Sequence, residues 1–126
     1  MAYDRPQIRI ETVMSSPLET IDADATLADA ATRMREEDIK ALVVPTDHPS
    51  IVTSTDIVRA TSDARDPTET TVGDVMTDVV ETISPDHLLE EAAGKMARSE
   101  FSHLPVVDDG ECIGMVSATD ITKQHA

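Results

Sequence analysis

Aromatic side chains are almost absent from this sequence: its 126 residues include one Phe, one Tyr and no Trp. Any core must therefore be assembled from Ala, Val, Ile, Leu and Met, which supply nearly all of the 40% apolar fraction. That fraction is too high for a disordered acidic tail, and a chain of this length can bury roughly two-thirds of its unfolded surface. Cysteine is equally scarce. The single Cys112 can form no internal disulfide, which fits a reducing cytoplasm. Basic residues are few, ten against 25 acidic ones, for a formal net charge of −15. The phosphate backbone of nucleic acids and anionic lipid both repel such a chain. No Lys/Arg stripe reverses the sign locally, so neither is expected as a partner. No apolar run approaches the ~20 residues needed to span a bilayer, and Met1 to Ile10 has no apolar stretch of signal-peptide type.

What the chain does contain is acid and repetition. Its only lysines are Lys40, Lys95 and Lys123, and a Lys-poor surface rich in Asp and Ala resembles proteins adapted to very high cytoplasmic salt. At molar salt the Debye length is only ~3 Å, so much of the self-repulsion would be screened. The repetition is internal. Val13-Met14 recurs as Val75-Met76, an offset of 62 that also pairs Glu19-Thr20-Ile21 with Glu81-Thr82-Ile83. Leu27, Ala30, Ala31 and Met34 fall on Leu89, Ala92, Ala93 and Met96 at the same offset. Across residues 13 to 48 there are 13 identities in 36 positions. Beyond a two-residue gap, Val52, Thr55, Asp56 and Ile57 match Val116, Thr119, Asp120 and Ile121. The chain thus reads as two copies of one unit, residues 8–62 and 73–124, joined by a polar linker at 63–72 that carries Pro67.

Each copy has the same local grammar. Leu27, Ala30, Ala31 and Met34 stand at i, i+3, i+4 and i+7, one face of a helix, with Thr26 and Asp29 set for a capping box. The second copy repeats the stripe, with Asp86 available as a cap. Short apolar runs at Ala41 to Val44 and Leu104 to Val107 fit buried strands. Asp108-Asp109-Gly110 turns the chain back into a hairpin partner at Cys112 to Val116. A short helix should start near Thr55-Asp56 and near Thr119-Asp120. The expected order is strand, helix, strand, strand, helix, twice. One such unit cannot cover its own sheet face, so two are expected to pack sheet to sheet with pseudo-twofold symmetry, an α/β (α+β) architecture.

One stretch is more specific: Ser102-His103-Leu104-Pro105-Val106-Val107-Asp108, followed by Gly114-Met115-Val116-Ser117-Ala118-Thr119-Asp120. It resembles the cystathionine-β-synthase (CBS) domain pattern, an hPVVD strand and then G-h-h-[ST]-x-x-D at the last strand-to-helix turn. The first copy carries a degenerate form, Ala41-Leu42-Val43-Val44-Pro45 and Ser50-Ile51-Val52-Thr53-Ser54-Thr55-Asp56. The leading phrases Val13-Met14-Ser15 and Asp74-Val75-Met76-Thr77 fit as well, so the resemblance spans about residues 11 to 124. It implies a tandem pair, or Bateman module: a regulatory sensor of AMP, ADP or ATP, in some members of S-adenosylmethionine, usually a homodimer. No resident cofactor is implied. With no catalytic domain in view, its output would be a conformational change read by a separate partner protein.

The resemblance also implies composite sites. One would use Ser117, Thr119 and Asp120 with Met14, Leu18, Ile39, Lys40 and Ala41. The other would use Thr53, Thr55 and Asp56 with Met76, Val80, Phe101, Ser102 and His103. The chemistry of the turns can be argued independently. A carboxylate repels phosphate but accepts two hydrogen bonds from a ribose diol, the role expected of Asp120 and Asp56. The hydroxyls and free N–H groups at the following helix start suit an anion, although an Asp there is equally explained as a cap. Candidate cations are Lys40, His103, Arg59 and Lys123, a thin supply for phosphate. Gly114, replaced by Ser50 in the first copy, favours the Asp120 site. The competing expectation is an association module with vestigial sites. His48 beside Asp47, and His103 with Asp108 and Asp109, lack the spacing of a metal centre. No nucleophile motif is present and Cys112 falls on a strand, so no enzyme is expected.

Overall fold

The computed structural model describes residues 7–16, 19–47, 50–78, 81–99 and 101–124. They form a mixed helix and strand structure with two small sheets. The chain divides into two compact units, Glu19–Val80 (the continuous unit) and Met1–Leu18 with Glu81–Ala126 (the split unit). The repeats at 8–62 and 73–124 are units of duplication, whereas each compact unit contains the leading segment of the other repeat.

In the continuous unit, helix α2 (Leu27–Glu37) begins as its sequence dictates. Thr26 Oγ1 accepts from the Asp29 amide at 3.1 Å and Asp29 Oδ2 accepts from the Thr26 amide at 3.2 Å. The two bonds satisfy two N–H groups that a helix start otherwise leaves unpaired. Leu27, Ala30 and Met34 form its buried face, while Ala31, on the same stripe, is exposed. Strands β1 (Ala41–Val44) and β2 (Ser50–Thr53) pair antiparallel, with Leu42 opposite Val52. Helix α3 (Ser54–Ser62) follows directly. The third strand is β3 (Thr77–Asp78), from the second repeat, which pairs with β2 through Thr77 opposite Ile51. Before it lies a helical turn, α4 (Val72–Val75), whose Val72 is fully buried in the same core as Leu27, Leu42, Val44 and Val52.

The split unit repeats this plan with the segments exchanged. Helix α5 (Leu89–Ser99), strands β4 (His103–Asp108) and β5 (Glu111–Ser117), and helix α6 (Ala118–Gln124) come from the second repeat. The first repeat adds the turn α1 (Ile10–Val13) and a bridge from Ser15 to Met115. Fully buried Ile10 joins the core of Leu104, Val106 and Val116. Its amide donates to the His87 carbonyl at 2.8 Å, and the Leu89 amide donates to the Ile8 carbonyl at 2.9 Å.

The short helices start at Ser54 and Ala118, close to the Thr-Asp pairs as expected, with Thr53 and Ser117 in the capping positions. One expectation needs correction. Helix α5 opens at Leu89, which leaves Asp86 three residues ahead of it rather than at the cap. The stretch 63–72, which joins the two copies, falls within the continuous unit. Pro67 and Thr70 carbonyls accept from the Ala28 and Leu27 amides, and Thr70 is buried. Asp66 holds the turn by accepting from the Thr68 amide and hydroxyl, which lowers its pKa below the ordinary carboxylate value.

Candidate functional site

Each Asp turn is held by a completed capping box. In the split unit, Asp120 Oδ2 accepts from the Ser117 amide at 2.8 Å, and Ser117 Oγ accepts from the Asp120 amide at 3.1 Å. The side chain is half-buried, and its second oxygen, Oδ1, meets no donor among the described residues. One oxygen is therefore spent on orientation while the other remains an acceptor of fixed direction. Thr119 is exposed beside it.

The turn of the continuous unit is closed. Asp56 Oδ2 accepts from the Thr53 amide at 2.9 Å and from Thr53 Oγ1 at 3.1 Å. Its Oδ1 accepts a long bond from Thr77 Oγ1 at 3.4 Å and lies 4.0 Å from Arg59 Nη1. Asp56 is only 7% exposed, whereas Thr55 is exposed.

The helix-start donors expected for an anion are largely committed. Ser54 and Ala118 amides donate to the Lys40 and Ser102 carbonyls at 3.0 and 2.8 Å, and those of Asp56 and Asp120 donate to their own capping hydroxyls. Several side-chain cations also face carboxylates. Arg33 pairs with Glu19 at 2.6 Å, Lys95 lies 3.6 Å from Glu81, Arg65 lies 3.7 Å from Asp74, and Arg59 faces Asp56. Lys40 and Lys123 are exposed.

The remaining candidates separate by unit. Met14 belongs to the split unit with Ser117, Thr119 and Asp120, where it packs partly buried against the core. Met76 lies with Thr53, Thr55 and Asp56 in the continuous unit. Ile39, Lys40 and Ala41 are in the continuous unit, Ile39 half-buried and Ala41 buried. Phe101, Ser102 and His103 are in the split unit, with Ser102 Oγ 3.2 Å from His103 Nδ1. Leu18, Val80 and His48 lie outside the described residues.

Gly114 has a steric reason to be glycine. A Cβ there would meet the Ser15 carbonyl oxygen at 2.7 Å and Met14 Sδ at 2.9 Å, so the close pairing of the leading segment with β5 requires its absence. At the matching position Ser50 is buried, and its hydroxyl donates to Asp78 Oδ1 at 3.2 Å. Sequence reasoning missed Thr77 and Ser50 as partners of acidic side chains. Thr77 stands 21 residues from Asp56, and no local pattern signals such a bond. Cys112 lies half-buried on β5, where burial pushes its pKa up. Among the described residues no cluster of His, Cys, Asp or Glu could hold a metal, and no helix is long and apolar enough to cross a membrane.

Comparison with known proteins places this geometry among relatives. The CBS domain family model matches residues 10–63 and 72–125. The CBS domain-containing protein YhcV of Bacillus subtilis is 28% identical over 115 residues, covering 89% of this chain and 81% of its own. A homoserine O-acetyltransferase of Methanohalobium evestigatum is 35% identical over 118 residues, but these are only 23% of its length. The chain thus spans about a quarter or less of several curated relatives, and the acetyltransferase likeness is confined to that part. Among solved structures, the CBS domain pair of protein MJ0100 in complex with 5′-methylthioadenosine and S-adenosyl-L-methionine superposes with a TM-score of 0.85 at 27% identity. It covers 95% of this chain and 97% of that one. The hexameric CBS-CP12 protein from bloom-forming cyanobacteria also gives 0.85, at 28% identity, over 91% of this chain and 69% of that one.

Proposed function

Because the chain belongs to the CBS domain family, as a tandem pair, we propose that it is a regulatory module that binds an adenosine-containing ligand and signals to a separate protein by changing shape. The observation that carries this reading is the Asp120 carboxylate, pinned through Oδ2 and without a donor at Oδ1 among the described residues. A fixed, unspent acceptor at the end of β5 suits a ribose diol, and Met14 of the same unit offers a polarizable surface of the kind an adenine ring packs against. The relative with 5′-methylthioadenosine and S-adenosyl-L-methionine supports an adenosine ligand as the class.

Charge ranks the members of that class. Arg33, Arg59, Arg65 and Lys95 face carboxylates, the helix-start N–H groups are largely spent, and the chain carries −15. A polyphosphate would meet few donors and a repulsive field. AMP, with one phosphate, and S-adenosylmethionine, with a sulfonium cation, therefore fit better than ADP or ATP. Homodimerisation and a cytoplasmic site of action belong to the same proposal.

Calorimetric titration with AMP, ATP and S-adenosylmethionine at 0.1 and ~1 M KCl tests it. Binding by at least one is expected, and Asp120→Ala should weaken it tenfold or more, the loss of a charge-assisted pair of about 1.5–3 kcal/mol. Neither heat nor thermal shift with any of the three would leave an association module with vestigial sites as the better reading.

A further inference from the structure

We infer that the two repeats have divided their work: Asp56 is a clasp that ties the second repeat's leading strand to α3, so the chain takes one adenosine ligand and not two. This rests on the proposed ligand class but concerns a different residue. Asp56 and Asp120 occupy the same place in the duplication, and both close a capping box. Their second oxygens differ. Oδ1 of Asp56 is covered by Thr77 on β3, at 3.4 Å, and faced by Arg59 at 4.0 Å, and the residue is 7% exposed. At Asp120 the counterparts are Ser15 and Lys123. Both are exposed, and neither donates to the carboxylate among the described residues.

A ribose reaching Asp56 would have to displace Thr77 from a buried carboxylate, and the displaced hydroxyl would need a new partner. The neighbouring position reinforces this closure. Ser50 replaces the glycine of the other copy, and its hydroxyl bonds Asp78, the residue after Thr77 on the same strand. Two side-chain bonds thus hold β3 in the continuous unit, one from Asp56 and one from Ser50. The glycine-containing repeat instead receives the first repeat's leading segment through backbone pairing of Ser15 with Met115, and its carboxylate oxygen meets no donor among the described residues.

Two measurements decide the matter. In urea unfolding, Thr77→Val should lower the folding equilibrium constant severalfold in the wild-type background and change it less than twofold in Asp56→Ala, which has no side-chain acceptor. Equal effects in both backgrounds would overturn the clasp, whether or not any ligand binds. In titrations with S-adenosylmethionine and AMP, one site per chain is expected. Asp56→Asn should keep the affinity within about threefold, and Asp120→Asn should lower it tenfold or more. Two sites per chain, or a tenfold loss in Asp56→Asn, would overturn the division of work while leaving the ligand class intact. Absence of all binding would overturn the ligand class and the single-site count, and the urea cycle would still judge the clasp.

Discussion

Gly114 and Ser50 show how one position can be solved in two ways. At Gly114 the nearest obstacle to a Cβ is the backbone oxygen of Ser15, 2.7 Å away, which cannot swing aside as a flexible side chain would. Gly114→Ala should therefore lower the stability of the split unit by about 1–3 kcal/mol, read from the urea midpoint. An unchanged midpoint would mean that the leading segment yields freely. Cys112 presents a different residue-scale question. Burial raises its pKa above the ordinary 9.0. Because the folded pKa lies above the unfolded one, the protonated thiol contributes stability below pH 9 and loses it as pH rises through the folded value. Iodoacetamide at pH 8 should label the native protein more slowly than the urea-unfolded chain, since only thiolate reacts. Equal rates would contradict the burial. The position on a strand was legible in the sequence, whereas the half-burial depended on what packs over β5.

At the scale of elements, the local code is legible in neighbouring residues, whereas the long-range pairing is signalled only by the family resemblance, which joins Met14 to the Asp120 turn and Met76 to the Asp56 turn. Helix α2, its capping box and its buried stripe follow from Thr26, Asp29 and the 3.6-residue spacing, all within eleven residues of one another. The β4–β5 hairpin follows from Asp108-Asp109-Gly110, with Asp109 and Gly110 at positive φ as such a turn demands. The turns α1 and α4 were missed. Only α4 had a local signal, Thr71 three residues before Asp74, whose Oδ2 accepts from the Thr71 amide. The exchange of leading segments had none, because the two segments offer similar apolar side chains, Ile10, Val13 and Met14 against Val72, Val75 and Met76. Its consequence is measurable. Ile10→Ala should cost about 2–5 kcal/mol and speed amide exchange in β4 and β5, in the half of the chain far from it in sequence. Val72→Ala, costing about 2 kcal/mol, should do the same for β1 and β2. Faster exchange in the mutated repeat's own strands instead would mean that the segments stay with their repeats.

At the scale of the whole molecule, charge governs behaviour in solution. With 25 acidic and ten basic residues, and with much of the positive charge paired locally, the surface repels itself at low ionic strength. Raising KCl from 0.1 to 1 M shortens the Debye length from ~10 to ~3 Å, so the urea midpoint should rise across that range. A fall would show that ion pairs such as Arg33–Glu19 outweigh the repulsion. The sequence by itself determined the duplication, the helices and strands of each copy, the family and the sign of the surface, because each is written in residues near one another or in totals. Only the tertiary structure decided which leading segment completes which sheet and which aspartate has an oxygen without a donor among the described residues. The physical reason is distance along the chain. Asp56 and Asp120 sit in near-identical local sequences, and what distinguishes them is a threonine hydroxyl that folding delivers to one from 21 residues away.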